Sequence, residues 1–336
     1  MIRVGLVGYG YWGPNLLRNF MVVDGIEPVA VCDRDPERLD LAQTRCPGVR
    51  ALTDSTALSQ ADDVDAVAIA TPVHTHHALA TQALAAGKHV LLEKPMAHSV
   101  EACHDLQQEA ARQGVVLLVD HTFLYTPAVT KIRELVEAGE LGDLYYVDSV
   151  RINLGLFQHD INVIWDLAPH DLSIAAFVLG RPARSVVAVG ACHAGSQVED
   201  VAHLTVDYGG NLLANFHVNW LSPVKVRQMI VGGSQKSIIF NDLDPVEKLR
   251  VYDRGVDIPS QGLSGKHDAL IRYRWGDTWS PALPIREALR TEVEHFVRCI
   301  TEGETPVSGA AEGLAVVRIL EAAQTSLAQH GARVTL

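Results

Sequence analysis

The chain has 336 residues, five cysteines and a formal net charge of −12 at pH 7. The length predicts two domains, and the acidic balance, with no basic run to offset it, argues against a nucleic-acid partner. No apolar run reaches the roughly 20 residues of a membrane span, so we expect no membrane partner. The scattered cysteines lack a CxxC spacing, which favours reduced thiols and a cytoplasmic protein.

The first 120 residues alternate between strand-like and helix-like patterns, which is the rhythm of a parallel sheet. Strands are predicted at residues 2–7, 28–32, 64–70, 88–92 and 115–119, with helices from residues 14, 35, 75 and 99. The third of these strands is almost entirely apolar, as expected where both faces of a sheet are buried. We therefore predict an α/β domain with a doubly wound sheet over residues 1–120.

The pattern changes after residue 120. Helices are predicted at residues 127–138, 171–179, 287–300 and 310–329, and strands at residues 144–153, 185–189, 203–207, 212–220 and 226–231. Because the last four strands have no helix between them, we predict an α+β domain over residues 121–336 with a large, mostly antiparallel sheet.

A glycine-rich turn, Gly8-Tyr9-Gly10-Tyr11-Trp12-Gly13, follows the first strand and opens the first helix. In this context Gly8 allows the tight turn, Gly10 lets the backbone approach a pyrophosphate, and Gly13 lets helix and strand pack closely. The intervening Tyr11 and Trp12 are then also cofactor-binding candidates. This arrangement predicts a dinucleotide-binding domain of the Rossmann type, with a plain strand-to-helix turn as the alternative.

Asp33 ends the second strand, twenty residues after Gly13. A carboxylate at this position accepts hydrogen bonds from the ribose hydroxyls and repels a 2′-phosphate, so we predict NAD as the cofactor. The neighbouring Arg34 can receive that phosphate, which keeps NADP as the less favoured alternative. A helix-capping role is the structural alternative for Asp33.

Thr71 and Pro72 follow the third buried strand, where ligands lie in an open parallel sheet, and His76 lies at the start of the next helix. We expect these three residues to line the nicotinamide side of the cofactor. His74 and His77 are close in sequence, but no cysteine or paired carboxylate joins them at ligand spacing. We therefore predict no metal site.

Glu93 and Lys94 end the fourth strand, and Pro95 restricts the turn that follows. An ammonium group at the carboxyl end of a strand can donate to a substrate hydroxyl and stabilise it as it loses its proton. Lys94 is therefore a candidate catalytic residue, and Glu93 a candidate for pairing with it near the cofactor. A surface Lys-Pro turn is the alternative.

A second group of polar residues, Asp166 and His170, surrounds Pro169. Proline suits the first turn of a helix, so we expect His170 to lie beside the positive end of a helix, where the field disfavours imidazolium. A nearby Asp166 carboxylate would instead favour the imidazolium form of His170. The pair predicts a general base with an orienting carboxylate, and a capping aspartate with a half-buried histidine is the alternative.

These motifs resemble those of the Gfo/Idh/MocA oxidoreductases over essentially the full chain. The matching features are the glycine-rich turn, Ala70-Thr71-Pro72 with His76, residues 86–90, Glu93-Lys94-Pro95, and the spacing from Asp166 to His170. The resemblance implies that Lys94 and His170 are the catalytic pair and that Asp166 binds substrate or orients the imidazole. It also implies a homodimer or homotetramer formed through the C-terminal sheet.

This chain departs from the family pattern at two positions. Ala168 stands where the family has glycine, and Ser173 where an aspartate often follows. The implied reaction is reversible oxidation of a secondary alcohol of a small carbohydrate, in which His170 takes the hydroxyl proton and Lys94 polarises the oxygen while a hydride passes to nicotinamide.

Residues 10–15 and 220–227 resemble the branch of the family that acts on nucleotide-linked sugars such as UDP-N-acetylhexosamines, often at C3. Lys225 and Arg227 can share one face of a strand and, with Arg151, bind a diphosphate; a solvated sheet edge is the alternative. Candidates for sugar hydroxyls are His121, Asn153, His159 and Asn162. The alternative functions are inositol or free-sugar dehydrogenase, NAD-dependent glycosidase and non-catalytic NAD-binding sensor.

Overall fold

In the computed structural model the chain folds into two compact units. The structure describes residues 1–155, 157, 161–193, 195, 197–257 and 272–336. The first unit comprises Met1–Thr126 and Arg286–Glu321, and the second comprises Pro127–Ile285 and Ala322–Leu336. This division differs from the predicted boundary after residue 120, because a C-terminal segment returns to the first unit.

The elements of the described residues follow in chain order. The strands are β1 Ile2–Val7, β2 Ile26–Cys32, β3 Arg50–Leu52, β4 Ala66–Ile69, β5 His89–Glu93, β6 Leu117–Asp120, β7 Leu144–Leu154, β8 Ser185–Ala191, β9 Val201–Asp207, β10 Leu213–Asn219, β11 Leu221–Gly233, β12 Ser237–Asn241, β13 Leu249–Asp257, β14 Arg272–Trp279 and β15 Val334–Thr335. The helices are α1 Gly13–Phe20, α2 Pro36–Arg45, α3 Ser55–Ser59, α4 Val73–Ala85, α5 Val100–Gln113, α6 Pro127–Glu137, α7 Val163–Leu179, α8 Ala288–Thr301 and α9 Ala310–Ala328, with a 3-10 helix at Thr122–Tyr125.

The first unit contains a parallel sheet in the order β3-β2-β1-β4-β5-β6. All four residues of β4 are buried, which explains its apolar sequence. The register pairs Val7 with both Cys32 and Ile69, and Glu93 with Asp120. The carboxyl ends of the strands therefore lie along one edge, and the predicted Rossmann domain is confirmed.

Helix α8 belongs to the first unit, although its sequence lies far from the other elements of that unit. Leu289, Val293 and Phe296 join the core that β1 and α1 form. The Arg18 guanidinium of α1 also donates to Glu287 at the start of α8. The amphipathic pattern predicted this helix, but such a pattern does not tell which apolar surface a helix covers.

The second unit contains a sheet of nine strands among the described residues, in the order β14-β13-β12-β11-β7-β10-β9-β8-β15. Every pair is antiparallel except β7 with β10. The predicted α+β domain with a mostly antiparallel sheet is confirmed. The strand β14 was not predicted, because its alternating arginines and aromatic side chains are largely exposed and present no apolar face.

The two faces of this sheet differ in exposure. On one face, Val147, Leu204 and Phe216 are buried. On the other face, Tyr146, Val189 and Leu213 are exposed. The second face is therefore apolar in part, and these three side chains remain exposed in the part of the unit that the structure describes.

Helix α7 differs from the helix predicted at residues 171–179. It begins at Val163, where the Asn162 side chain accepts a hydrogen bond from the Trp165 amide, and Pro169 lies in its interior. Proline there removes one hydrogen bond, to the Trp165 carbonyl in the first turn. The expectation that Pro169 marks the helix start was wrong, because the N-cap Asn162, seven residues earlier, determines where the helix begins.

None of the described helices is long and apolar enough to cross a lipid bilayer. The five cysteines carry free thiols, and three of them, Cys32, Cys103 and Cys299, are buried. The cytoplasmic location stays a prediction.

Candidate active site

The glycine-rich turn connects β1 to α1 and brings the backbone close to itself. Gly8 has a φ of +95°, which side chains rarely adopt, and a Cβ at Gly13 would lie 2.3 Å from the Gly8 carbonyl oxygen. A Cβ at Gly10 would meet only the Arg38 guanidinium, at 3.6 Å. The turn thus needs glycine at positions 8 and 13 to form, whereas Gly10 leaves open space that fits an approaching pyrophosphate.

Asp33 fixes this turn to the end of β2. Its carboxylate accepts hydrogen bonds from the Tyr9 amide at 2.7 Å and the Asp35 amide at 3.0 Å, and the Arg38 guanidinium lies 3.6 Å away. Each carboxylate oxygen has a second lone pair, so the group can still accept from ribose hydroxyls. The neighbouring Arg34 is exposed.

A shallow groove lies on the outer side of the turn. It is lined by Tyr9, Gly10, Tyr11, Pro14, Arg38, Leu41 and Arg45. Tyr11 is almost fully exposed, and the predicted cofactor contact of its ring stays a prediction.

His76 ties together the loops after β4 and β5. Its Nδ1 lies 2.9 Å from the Pro95 carbonyl oxygen and its Nε2 lies 2.8 Å from that of Thr71. Burial lowers the pKa of this imidazole, and a neutral ring has one N–H to donate to the two carbonyls. His76 therefore determines the positions of Thr71 and of the turn that follows Lys94.

Lys94 directly follows β5 and precedes a cis peptide bond to Pro95. Its backbone amide donates to the Glu93 carboxylate, and its side chain is half-buried. Lys94 therefore lies at the carboxyl edge of the parallel sheet of the first unit, as the strand pattern predicted.

His121 directly follows β6, the neighbour of β5, and is 1% exposed. Burial and the charge of Lys94 lower its pKa to about 3. Neither ring nitrogen has a hydrogen-bond partner in the part of the chain that the structure describes. A buried neutral imidazole with unused hydrogen-bonding capacity, within the electrostatic reach of Lys94, suits a polar ligand group.

In the second unit, Asp166 and His170 lie on helix α7 four residues apart, and therefore on the same face. The Trp220 indole N–H donates to the Asp166 carboxylate at 2.9 Å. Trp220 is fully buried, so its ring orients this carboxylate. Trp220 was not among the predicted site residues, since nothing in the sequence relates it to Asp166.

The expectation that His170 lies beside the positive end of a helix was wrong. Because α7 begins at Val163, His170 lies near the middle of the helix and not beside its positive end. The departures from the family pattern, Ala168 and Ser173, are also inside this helix, where the Ser173 hydroxyl donates to the His170 carbonyl oxygen at 2.8 Å.

Arg151 forms a buried ion pair with Asp171. Its Nε and a terminal nitrogen donate to the two carboxylate oxygens at 2.9 and 2.8 Å. Both side chains are less than one tenth exposed. This guanidinium therefore supports α7 beside His170, and the expectation that it meets a substrate diphosphate has no support from its position.

Other predicted substrate residues also have partners in the second unit. Asn162 caps α7 and donates to Glu199 and Gln324, whereas Asn153 is half-buried near the end of β7. His159 lies outside the described residues.

Lys225 and Arg227 lie on β11 in different environments. Arg227 is directly opposite Arg151 in the register, so the two share a face, and its guanidinium lies 3.4 Å from Asp242. Lys225 is exposed and falls in an irregular stretch between Leu221 and Val226. Simple alternation along a regular strand, on which the prediction rested, does not hold for Lys225.

No group of three or more potential metal ligands occurs among the residues that the structure describes.

Comparison with known proteins agrees with these features. Residues 2–121 match a family model described as "Oxidoreductase family, NAD-binding Rossmann fold", and residues 129–239 match the "GFO/IDH/MocA C-terminal domain". The chain is 30% identical over 328 residues to UDP-N-acetylglucosamine 3-dehydrogenase of Acidithiobacillus ferrooxidans, covering 96% of this chain and 95% of that protein. The chain belongs to the Gfo/Idh/MocA oxidoreductase family.

Two further likenesses extend over nearly the whole of this oxidoreductase. It is 24% identical to the NADP⁺-dependent scyllo-inositol 2-dehydrogenase IolW of Bacillus subtilis, covering 97% of this chain and 93% of the relative. The solved structure of the A. ferrooxidans enzyme, GnnA, superposes with a TM-score of 0.81 at 26% identity, covering 98% of both chains. The expected family and NAD as its cofactor are confirmed.

Proposed function

We propose that this oxidoreductase transfers a hydride between NAD and a secondary alcohol or ketone of a nucleotide-linked sugar, at C3. The observation that carries the proposal is Lys94 at the carboxyl edge of the NAD-binding sheet, with the buried His121, whose ring has no hydrogen-bond partner among the described residues, after the neighbouring strand. The similarity to a UDP-N-acetylglucosamine 3-dehydrogenase supports the substrate class.

The proposed chemistry assigns a separate task to each polar side chain. The His170 imidazole accepts the hydroxyl proton of the substrate, and the Lys94 ammonium donates to the same oxygen and stabilises its developing negative charge. Bound NAD supplies the acceptor for the hydride that leaves the carbon. In the reverse direction His170 returns the proton to the alkoxide.

Two residues are proposed to orient the substrate. Asp166, held by the Trp220 indole, accepts a hydrogen bond from a sugar hydroxyl or from the His170 imidazole. His121 offers its ring nitrogens, which have no partner in the described part of the chain, to a second polar group. Burial of the Trp220 ring and of the His121 imidazole keeps the geometry of these two groups independent of solvent.

For the nucleotide part of the substrate, we propose that Lys225 and Arg227 contact the diphosphate. Arg227 keeps donor capacity, because its Nε has no partner in the described residues and its ion pair with Asp242 is long at 3.4 Å. Arg151 is not included, since Asp171 already occupies it in a bidentate pair.

We further propose a homodimer or homotetramer formed through the exposed face of the nine-stranded sheet. Tyr146, Val189 and Leu213 on this face are exposed apolar side chains. An exposed apolar surface of this kind is typical of a protein interface. Light scattering on the purified protein tests this part.

The function is tested by mixing the purified protein at stoichiometric concentration with NAD and UDP-hexoses, dTDP-hexoses, free hexoses or inositols. Reduced nicotinamide absorbance and product mass are followed together, so that a single turnover is visible even if NADH stays bound. We expect a signal with nucleotide sugars only and a product mass lower by two hydrogens.

The second candidate is inositol or free-sugar oxidation, which the similarity to scyllo-inositol 2-dehydrogenase favours. A signal with inositols or free hexoses, and none with nucleotide sugars, would replace our substrate class by this one. Hydrolysed product without net NADH would indicate an NAD-dependent glycosidase. No change in nicotinamide absorbance or product mass with any sugar, despite measured NAD binding, would favour a non-catalytic NAD-binding sensor.

A further inference from the structure

A buried polar cluster lies beneath the glycine-rich turn in the first unit. Its centre is Asp120, the last residue of β6, which is 2% exposed. One carboxylate oxygen accepts from the Trp12 indole N–H at 2.5 Å, and the other accepts from the Thr122 hydroxyl. Asp120 thus connects the turn that carries Trp12 to the strand that ends beside His121.

Helix α8 adds a second carboxyl group, Glu292, to this cluster. Glu292 is fully buried, and neither of its oxygens has a conventional hydrogen-bond partner among the described residues. The groups that interact electrostatically with the Glu292 carboxyl are Asp120 of β6, Glu93 of β5, and Thr122 and Tyr125 of the 3-10 helix. The proton of Thr122 is directed to Asp120.

An ionised Glu292 at this position would be a buried anion within the electrostatic reach of the Asp120 carboxylate, and such an arrangement is strongly unfavourable. Burial, together with the charges of Asp120 and Glu93, raises the pKa of Glu292 well above its usual range. Asp120 already accepts from two donors, the Trp12 indole and the Thr122 hydroxyl. A protonated Glu292 has an O–H to donate, and Asp120 is the acceptor beside it.

We propose that Glu292 is a positioning residue of the cofactor-binding unit: in its neutral acid form it donates a hydrogen bond to Asp120, which holds Trp12 and the glycine-rich turn at the end of β6. The inference deepens the proposed function, since the turn and His121 belong to that site. It assigns Glu292 no direct contact with substrate or cofactor.

The test compares Glu292→Gln, Glu292→Leu and the wild type, with Glu294→Gln on the outer side of the same helix as matched control. The Gln amide can donate to Asp120 without ionising, whereas Leu keeps the volume and removes the donor. Glu294 forms exposed ion pairs with Arg286 and Arg290, so its variant reports the general effect of removing one carboxylate.

The first readout is the unfolding midpoint between pH 4 and pH 8.5. Wild type and Glu292→Gln should be equal near pH 4, where Glu is protonated in both the folded and the unfolded state. Above about pH 4.3 the unfolded carboxyl ionises while the folded one does not, so the wild type loses stability that the Gln variant keeps. We expect Glu292→Gln to become the more stable protein as pH rises, by about tenfold in folding equilibrium constant for each unit of raised pKa.

The second readout is the NAD dissociation constant by calorimetry at pH 7.5. We expect Glu292→Gln to stay within about threefold of wild type and Glu292→Leu to bind NAD at least about tenfold more weakly, as for loss of a hydrogen bond to a charged group. Neither readout uses a sugar, so an error in the proposed substrate class leaves both unchanged.

Two outcomes would overturn the inference. A Glu292→Gln protein that is less stable than wild type at pH 8 would show that Glu292 is ionised in the folded state. Equal NAD affinity in the Leu and Gln variants would show that the donated hydrogen bond does not position the turn.

Discussion

The two units place their candidate site residues in different ways. In the first unit, Gly8, Asp33, Lys94 and His121 each follow a strand directly, and the parallel register brings these strand ends to one edge. In the second unit, Asp166 and His170 lie inside a helix, and Trp220, which lies between β10 and β11, orients Asp166. The first arrangement follows from chain order, whereas the second depends on distant contacts.

The supporting contacts of the second unit illustrate this dependence. Trp220 orients Asp166 although 54 residues separate them, and Arg151 holds Asp171 from a strand 20 residues away. A substitution of such a partner should therefore change the site without touching a ligand. In the first unit, the comparable long-range contact joins Trp12 to Asp120, which are 108 residues apart.

The largest effect is expected at the two residues that the proposal places in the reaction, one from each unit. Lys94→Ala and His170→Ala should each lower kcat by about 10³-fold, the range typical of a removed acid–base or electrostatic group. NAD affinity should stay within about threefold in both. Single-turnover kinetics and calorimetry measure these quantities.

The control for this comparison is Lys131→Ala, which removes a surface lysine paired with Glu134 on α6. It should leave kcat unchanged. Near-normal turnover in Lys94→Ala or His170→Ala would contradict the role of that residue.

The second effect concerns the buried support of α7. Arg151→Met should destabilise the protein by about 3–5 kcal/mol, because it leaves the Asp171 carboxylate buried without its partner. The double variant Arg151→Met/Asp171→Leu should recover most of this loss, since no unpaired charge remains. Denaturant unfolding of the single and double variants measures the difference, and an equally unstable double variant would disprove the pair as its source.

The third effect separates folding from binding within the glycine-rich turn. Gly13→Ala should destabilise the protein, because the added Cβ would lie 2.3 Å from the Gly8 carbonyl oxygen. Gly10→Ala should fold within about 0.5 kcal/mol of wild type, because its Cβ has room, yet bind NAD at least about tenfold more weakly, because the methyl group obstructs the pyrophosphate. Thermal unfolding and calorimetry on both variants test this contrast. Normal NAD binding by Gly10→Ala would contradict the predicted position of the pyrophosphate at Gly10.

The smallest effect is expected at the proposed diphosphate contacts. Arg227→Ala should raise KM for a nucleotide sugar by about tenfold or more, as for loss of one hydrogen bond to a charged group, and Lys225→Ala by less, because Lys225 is exposed. Neither should change KM for a free sugar. Arg250→Ala, which loses an exposed pair with Glu247, is the control. Equal KM values in all variants would favour inositol or free-sugar oxidation as the function.

Most elements of the first unit could be predicted from the sequence. Strands buried on both faces are apolar throughout, and side-chain caps such as Ser99 at α5 mark where helices begin. The second unit was harder, because largely exposed strands such as β14 alternate arginines with aromatic side chains and present no buried apolar face. Helix α7 was predicted too short, since an interior proline is indistinguishable in sequence from one in the first turn.

By itself, the sequence determined the fold class, the NAD-binding turn and the family, because each depends on residues that are near one another in the chain. Tertiary structure alone decided that Arg151 pairs with Asp171, that Trp220 holds Asp166, and that Asp120 accepts from Trp12. These contacts join residues from distant segments of the chain. The burial that strengthens them exists only once the chain has folded.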